Sequence, residues 1–359
     1  MRIINNLKFI PRIISNKGKT PLYIIFFVTS KCNMMCDHCF FWRELNKAKN
    51  ELTLDEIEKI TKRMDPLLFL RMTGGEPFLR PDLSEIAALF YKNSGLRNLS
   101  INTAGFFPEA IVKSVEKILS NCKLDLDICV AIDDIGEYHD QNRGVKGAFD
   151  NAVKTVNELK KLKGRYINLI VTTVTTVTAN NQGRIDEIFE ELKKINPDFI
   201  SATFIRGEPK DPNLKTIKIE KYMKFIDKIN AYNSGKLSHS FYINSNAKNR
   251  LLSSIIYNTH VKNENQGIAC IAGDKMAVIY SEGDVHLCEM LDNKIGNLRD
   301  FNFDFRLLWN SENRKNIRGA MVKRRCFCTH ECFMSGSILL DFTNCARAFK
   351  KTLTCAGRQ

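Results

Sequence analysis

The stretch SKCNMMCDHCFFW, residues 30–42, carries three cysteines at spacings of four and three residues. Cys32, Cys36 and Cys39 lie within eight residues of one another, and no fourth thiol stands beside them. Three interpretations are open: a structural zinc site, a disulfide or redox element, and an iron–sulfur cluster with one iron left open. The rest of the chain decides among them.

The chemistry of metal ligands favours the third interpretation. A structural zinc site takes four protein ligands, and His38 stands directly before Cys39, so the loop would be strained if both reached one metal. An odd number of thiols disfavours a disulfide element. A [4Fe–4S] cluster held by three thiolates leaves one iron free for another ligand, which explains why no fourth thiol is offered.

Composition indicates a folded protein of the cytoplasm. The 359 residues are 44% apolar and 26% charged, which is ordinary for globular domains. The longest apolar run near the start, YIIFFV, is too short to cross a bilayer, and the N-terminal residues lack the features of a signal peptide. Twelve cysteines in a cytoplasmic protein are expected to serve metals rather than disulfides.

The formal net charge of +14 is concentrated at the two ends of the chain. Residues 1–20 carry five Lys/Arg and no Asp/Glu, and residues 310–359 carry ten Lys/Arg against three Asp/Glu. Such ends can bind an anionic lipid, a nucleic acid or a phosphorylated substrate. The alternative is a solvated basic face, or charge that balances anionic clusters and an acidic redox partner. We expect no nucleic-acid partner.

The first residues are predicted to form a basic N-terminal helical segment, residues 1–20. Apolar residues repeat there at helical spacing, and Pro11 is expected to kink or end the helix. The segment is expected to pack across the end of a domain, with a peripheral membrane contact as the alternative.

From residue 21 onward, apolar strand-like runs alternate with helical patterns of ten to fifteen residues. Strict β/α alternation predicts a parallel sheet that is buried on both faces, in a barrel or partial barrel whose chemistry lies at the carboxyl ends of the strands. We therefore predict an α/β fold with a partial (β/α)6 TIM-like barrel. The six predicted strands are residues 22–30, 67–75, 98–105, 126–134, 167–177 and 199–207.

Further along, the pattern changes twice. Residues 21–210 form the predicted barrel core, and residues 211–264 form a connecting helical region that is rich in Lys and Asn. From residue 265 the periodicity fades and seven cysteines follow. We predict that residues 265–359 form a small cysteine-rich iron–sulfur domain.

Two motifs together resemble one family. The C-x3-C-x2-C loop after the first strand and the GGEP stretch Gly74–Pro77 after the second are similar to signatures of the radical S-adenosylmethionine (SAM) superfamily. The resemblance covers about residues 21–210. It implies that three thiolates hold a [4Fe–4S] cluster whose fourth iron binds the amino and carboxylate groups of S-adenosylmethionine.

The resemblance also implies roles for residues at the strand ends. Gly74 and Gly75 would let the backbone approach the cofactor, and the backbone around Glu76 and Pro77 would accept the ammonium hydrogens. The other residues with implied cofactor contacts are Asn102, Asp133 and Arg143. Arg143 resembles the family's carboxylate-binding arginine; the alternative is a surface arginine that opens a helix.

Two departures from the family pattern affect this site. His38 stands where an aromatic residue is usual. Asp133 and Asp134 follow the fourth strand where relatives commonly read Ser-x-Asp-Gly, so a serine hydroxyl is lost. Part of the cofactor contact must therefore come from elsewhere.

The tail carries a second resemblance. Cys270 and Cys288 form a C-x12-G-x4-C unit that is similar to the opening of the SPASM and twitch extensions, which house auxiliary iron–sulfur clusters. This implies at least one auxiliary [4Fe–4S] cluster, held by Cys270, Cys288 and two of Cys326, Cys328 and Cys332. A second, incomplete cluster through Cys345 and Cys355 is the alternative.

The family implies radical chemistry. S-adenosylmethionine is cleaved reductively to a 5′-deoxyadenosyl radical, which abstracts a hydrogen atom from a substrate. An auxiliary cluster favours oxidation or bond formation on a small-molecule or lipid-linked substrate, with electrons from a flavodoxin- or ferredoxin-type donor. The alternatives are a peptide maturase and a non-enzymatic metal-binding regulator.

Overall fold

The computed structural model describes residues 8–47, 49–234, 236, 246–265, 268–324, 326–341 and 343–344. Its strands are β1 Tyr23–Thr29, β2 Phe69–Gly74, β3 Asn98–Thr103, β4 Asp125–Ala131, β5 Leu169–Val177, β6 Phe199–Phe204, β7 Met276–Ile279, β8 Asp284–His286 and β9 Lys294–Asn297. Its helices are α1 Ile10–Ile14, α2 Leu54–Lys62, α3 Leu83–Ser94, α4 Pro108–Asn121, α5 Gly136–Arg143, α6 Ala148–Leu162, α7 Ile185–Ile195, α8 Ile219–Asn233, α9 Asn246–Lys262, α10 Phe305–Trp309, α11 Glu312–Lys323 and α12 Glu331–Leu340.

All nine strands form one sheet, in the order β6-β5-β4-β3-β2-β1-β7-β8-β9. Strands β1 to β6 are parallel neighbours in sequence order, and helices connect them. This arrangement confirms the predicted α/β fold, an unclosed partial barrel of six β/α units. The carboxyl ends of β1 to β6 lie along one edge, and this places the cysteine loop beside the GGEP stretch.

The two faces of the sheet differ in chemistry. On the outer face, paired positions such as Leu70, Leu99 and Leu126 are buried and apolar, as expected under covering helices. On the inner face, Arg71 pairs with Ser100 and Ser100 with Asp127. A parallel sheet that is polar on one buried face has a binding surface there rather than a second hydrophobic core.

The helices form for local reasons that agree with the sheet. Thr53 and Glu56 form a capping box at the start of α2, which satisfies two backbone N–H groups that lack helical partners. Helix α7 buries an apolar stripe that includes Phe189 and Leu192, and each such side chain contributes about 1.5–3 kcal/mol by leaving water. Asn196, in the left-handed conformation, ends α7.

The cysteine-rich region continues the core sheet. Strand β7 pairs in parallel with β1, and β8 and β9 add an antiparallel ribbon beyond it. The predicted domain boundaries at residues 210 and 264 stay a prediction. One continuous sheet contains strands from before the first boundary and from after the second.

Helix α1 is short and lies at the N-terminal end of the described residues. Pro11 stands in the first turn of this helix, where no N–H donor is needed, and the predicted kink or end of a longer N-terminal helix at Pro11 stays a prediction. The remainder of the predicted N-terminal helix, residues 1–7, lies outside the described residues, as do Cys345 and Cys355. Among the described helices, none has the length and apolar character that a transmembrane span requires.

Candidate iron–sulfur and cofactor site

The three-cysteine loop follows β1 and is anchored by its own backbone. Asn46 accepts a hydrogen bond from the Cys32 backbone N–H at 2.9 Å and donates to its carbonyl at 3.0 Å. Met34, which is 2% exposed, donates its backbone N–H to Cys32 Sγ at 3.4 Å. Hydrogen bonds to the backbone and to the sulfur of Cys32 therefore fix the start of the loop, and its thiols lie at the carboxyl edge of the sheet.

Burial makes these thiols poor thiolates without a cation. It raises the pKa of Cys32 to about 12 and that of Cys39 to about 11, and it also raises the pKa of Cys36. A bound metal centre supplies the positive charge that deprotonates a buried thiol. A [4Fe–4S] cluster, whose thiolates bind different irons, fits this donor set.

Gly74 and Gly75 allow a close approach between two backbone segments. A Cβ at Gly75 would lie 2.0 Å from the Lys31 carbonyl oxygen, and one at Gly74 would lie 2.3 Å from that of Thr29. Gly74 also has a φ of 127°, which L side chains rarely adopt. The nearest neighbours of these glycines are thus the backbone of the cysteine loop, and the predicted approach to the cofactor stays a prediction.

The Glu76 carboxylate has a structural environment. It is 2% exposed and accepts hydrogen bonds from the Thr103 hydroxyl and from the backbone N–H groups of Ala104 and Phe78, at 2.8–3.1 Å. Burial raises the pKa of Glu76. The side chain therefore joins the ends of β2 and β3, and Pro77 follows in a short 3-10 turn.

Arg143 is buried at the end of α5, so it is neither exposed nor at a helix start. Its guanidinium pairs with the Asp133 carboxylate, and its Nη1 lies 3.5 Å from Cys36 Sγ. Although burial disfavours ionisation of Asp133, the charges of Arg143 and His38 lower its pKa. The Arg143 Nε atom is buried and has no hydrogen-bond partner among the described residues. An orphaned cationic N–H beside the cysteine loop fits a carboxylate, such as that of S-adenosylmethionine.

Asn102 lies two strands from the cysteine loop, on the inner face of the sheet. Its side-chain amide is half-buried and donates to the Thr73 hydroxyl at 3.4 Å. This position is at the carboxyl end of β3, where the sequence predicts a cofactor contact.

Four of the tail cysteines interact with one another. Burial raises the pKa of Cys288 and of Cys328, and neighbouring thiols add to it. Cys328 and Cys270 raise the pKa of Cys288, and Cys270 and Cys326 raise that of Cys328. Cys332 is in a different environment, because its Sγ lies 3.8 Å from Arg71 Nη1 on the inner face of the sheet.

A buried ionic group lies between the two sets of cysteines. Glu289 pairs with His330 and lies 3.5 Å from Arg206. Although burial opposes ionisation, the charges of His330 and Arg206 lower the pKa of Glu289 to about 2. The Arg206 guanidinium also stands 5.1 Å from the ring centroid of Phe40, which follows Cys39. The group therefore bridges the first cysteine loop and the tail.

A cavity of about 190 Å³ lies on the inner face of the sheet, under α8, α9 and α12. Its charged lining residues are Arg71, Asp125, Asp127, Lys248 and Glu331. Burial, followed by the charge of Arg71, lowers the pKa of Lys248 to about 8, and burial raises the pKa of Asp127.

Sequence reasoning missed this polar interior. The signal was present in the sequence, because Arg71, Ser100, Asp127 and Cys129 alternate with apolar residues along their strands. Such alternation indicates a strand with one apolar face and one more polar face. Cys129 is buried, and its Sγ lies 3.4 Å from both the Asp127 carboxylate and the Ser100 hydroxyl.

Two family models match the regions that the cysteines mark. The model of the radical SAM superfamily matches residues 26–180, and that of the SPASM iron–sulfur cluster-binding domain matches residues 270–333.

Curated relatives include enzymes of tetrapyrrole and peptide biosynthesis. An AdoMet-dependent heme synthase of Methanosarcina barkeri is 27% identical over 323 residues, which are 85% of this chain and 87% of that protein. An Fe-coproporphyrin III synthase of the same organism is 30% identical over 50% of this chain. The subtilosin biosynthesis protein AlbA of Bacillus subtilis is 26% identical over 59% of this chain. The matches span less than half the length of the last two relatives, 42% and 46%.

Solved structures share the fold. The structure of anSMEcpe with bound AdoMet has a TM-score of 0.59 at 19% identity, covering 83% of this chain and 82% of that one. SuiB of Streptococcus suis, bound to its precursor peptide SuiA, has a TM-score of 0.57 at 15% identity, covering 88% and 71%. Because the two family models match the barrel and the cysteine-rich tail, this chain belongs to the radical SAM superfamily and carries a SPASM-type iron–sulfur domain.

Proposed function

We propose that this enzyme uses S-adenosylmethionine to abstract a hydrogen atom from a small-molecule or lipid-linked substrate, and that the net reaction is an oxidation or a bond formation. The observation that carries the proposal is the partly open cavity on the inner face of the barrel, where charged side chains stand in a mainly apolar lining. It extends from the first residues of β2, β3 and β4 to the middle of these strands, on the face that carries Asn102 nearer their carboxyl ends.

The cofactors of the family are a [4Fe–4S] cluster, S-adenosylmethionine and auxiliary clusters. When bound, the first cluster and S-adenosylmethionine supply the reductive cleavage that yields a 5′-deoxyadenosyl radical. Cys32, Cys36 and Cys39 would hold this cluster, and Arg143 Nε would bind the cofactor carboxylate. The walls of the cavity exclude water from the substrate, which protects a reactive carbon radical from side reactions.

Two observations favour a small substrate over a peptide. The cavity of about 190 Å³ is covered on one side by α8, α9 and α12, so its volume suits a compact molecule better than an extended chain. A relative that matches 85% of this chain and 87% of its own length is named a heme synthase. The likeness to AlbA keeps a peptide maturase as the second candidate. We further propose a cytoplasmic location and a flavodoxin- or ferredoxin-type electron donor.

The test begins with anaerobic reconstitution, followed by dithionite, S-adenosylmethionine and an assay for 5′-deoxyadenosine. We expect slow background formation that is stimulated by the small-molecule fraction of a boiled cell extract. Stimulation by the peptide fraction alone, lost after protease treatment, would support the peptide maturase instead. Bound zinc with no 5′-deoxyadenosine would overturn the enzyme assignment and favour a metal-binding regulator.

We also propose which tail cysteines hold the auxiliary cluster. The proximity of Cys270, Cys288, Cys326 and Cys328 supports these four as the ligands. The contact of Cys332 with Arg71, and its position in the lining of the cavity, support a role for Cys332 outside the ligand set.

This assignment predicts different results for two neighbouring serine variants. Cys328→Ser is expected to lower the iron content by about four per chain, because one auxiliary [4Fe–4S] cluster loses a ligand. Cys332→Ser is expected to keep its iron. Iron and sulfide counts after reconstitution measure both. Loss of iron in Cys332→Ser and not in Cys328→Ser would show that Cys332 is the ligand.

A further inference from the structure

A buried network of four polar side chains lies behind the cysteine loop. His38 Nδ1 lies 3.1 Å from Asn142 Oδ1, and Asn142 Nδ2 donates to Asp133 Oδ2 at 3.2 Å. Arg143 Nη2 donates to the same carboxylate oxygen. The network therefore joins two positions where this chain departs from the family pattern, His38 and Asp133.

The Asp133 carboxylate is fixed in place. Its other oxygen, Oδ1, accepts the backbone N–H of Thr176 at 2.7 Å, and the Asp133 carbonyl accepts from Asn181 Nδ2 at 2.8 Å. The residue is 0% exposed. Because both oxygens and the backbone are held, Asp133 cannot turn away from its partners without breaking several buried hydrogen bonds.

The end of helix α5 transmits this fixed position to the cysteine loop. The backbone carbonyls of Arg143 and Asn142 accept hydrogen bonds from the N–H groups of Met35 and Asp37, at 2.9 Å and 3.3 Å, on either side of Cys36. Between these bonds, Arg143 Nη1 lies 3.5 Å from Cys36 Sγ. One guanidinium thus contacts a carboxylate through one nitrogen and a cysteine sulfur through another.

We propose that Asp133 is a positioning residue that holds Arg143 against Cys36 Sγ and thereby raises the reduction potential of the first cluster. Reduction adds negative charge to a cluster and its thiolates. A cationic N–H donor at a ligand sulfur stabilises that charge, and hydrogen bonds to sulfur are among the determinants of cluster potential. This inference goes beyond the proposed function, because it concerns how the chain sets electron entry and not what it acts on.

The test is a potentiometric titration of the reconstituted protein, monitored by electron paramagnetic resonance. In Arg143→Gln the ratio of reduced to oxidised first cluster is expected to fall at least tenfold at a fixed applied potential. For one electron this is a shift of about 59 mV to lower potential. The auxiliary cluster is expected to keep its potential and serves as the internal reference. An unchanged first cluster in Arg143→Gln would overturn the proposal.

The sign of the shift in Asp133→Asn separates positioning from simple electrostatics. If the new NH2 group faces Arg143 and Asn142, it meets two donors; if it faces the Thr176 N–H, the amide oxygen still accepts from Arg143 but without the negative charge, so the anchor of Arg143 is weakened in either orientation. Positioning predicts a shift to lower potential. Removal of a negative charge alone would favour the reduced cluster and shift the potential upward, and an upward shift would refute the proposal.

A neighbouring ion pair provides matched controls. Arg184 Nε donates to Asp134 Oδ1 at 3.1 Å, one residue along from Asp133. Arg184→Gln and Asp134→Asn make the same chemical changes and are expected to leave the potential unchanged; a shift as large as that of Arg143→Gln would contradict the proposal.

His38→Phe is the second variant, in case Asp133→Asn does not hold the cluster. It keeps the ring and removes the contact with Asn142, and it is expected to lower the potential in the same direction; no shift would count against the network. The potential is read without cleavage of S-adenosylmethionine, so failure of this inference and failure of the proposed function are distinguishable.

Discussion

Replacing Cys36 with alanine is expected to abolish 5′-deoxyadenosine formation and to lower the iron content from about eight to about four per chain. Cys36 is the central thiol of the loop, and its neighbours Met35 and Asp37 donate backbone hydrogen bonds to carbonyl groups at the end of α5. Two remaining thiols cannot hold a cluster that needs three protein ligands and one open iron. The auxiliary cluster should persist, since its proposed ligands lie in the tail. Iron and sulfide counts and the cleavage assay on one preparation measure both effects.

Cys122→Ala is the matched control. Cys122 is 1% exposed and packs in the hydrophobic core after α4. The same change there is expected to cost about 1 kcal/mol of stability and to leave both iron content and cleavage intact. Normal cleavage in Cys36→Ala would contradict the assignment of the first cluster, and iron loss in Cys122→Ala would show that iron content is not specific to the ligands.

Replacing Gly75 with alanine is expected to disrupt the cofactor edge without changing any ligand. The new Cβ would lie 2.0 Å from the Lys31 carbonyl oxygen and 2.5 Å from its carbonyl carbon. Both atoms are backbone, so the strand end and the cysteine loop must separate. The hydrogen bonds from Gly75 N–H to Thr29 and from Glu76 N–H to Lys31, at 2.9 Å and 2.8 Å, would then break.

We expect Gly75→Ala to lose about 3 kcal/mol of stability, lowering the midpoint of thermal unfolding by about 4 °C. The first cluster should be lost while the auxiliary iron stays. Gly319→Ala is the control, because that position is inside α11 and has no heavy atom within 4 Å of an added Cβ. It should stabilise the protein by about 1 kcal/mol, since alanine is the better helix former. Equal behaviour of the two variants would argue against the close approach.

Much of the fold could be predicted because its signals are local. Periods of two and 3.6 residues identified the six strands of the barrel and the helical patterns between them, and helices do connect the strands. Helix α5 was not predicted, because GEYHDQNR has little apolar periodicity. For that reason the burial of Arg143 at the end of α5 was not predicted.

The SAM site was predictable only in outline. Cys32, Cys36 and Cys39 are close in sequence, so their spacing alone indicates shared chemistry. The environment of Glu76 depends on Thr103 and Ala104, more than twenty residues away. The partners of Asp133 come from α5, from β5 and from the loop that follows β5. Such contacts have no signature in a single stretch.

The sequence by itself determined the element order, the cysteine loop and the family. Strand and helix periodicity, turn residues and the spacing of metal ligands are all set within a few residues of one another. The tertiary structure decided which polar groups meet: Arg143 with Cys36, His38 with Asp133, and Arg71 with Cys332. These pairs form only when distant strand ends are brought to one edge, since the range of a hydrogen bond is a few ångströms whatever the separation along the chain.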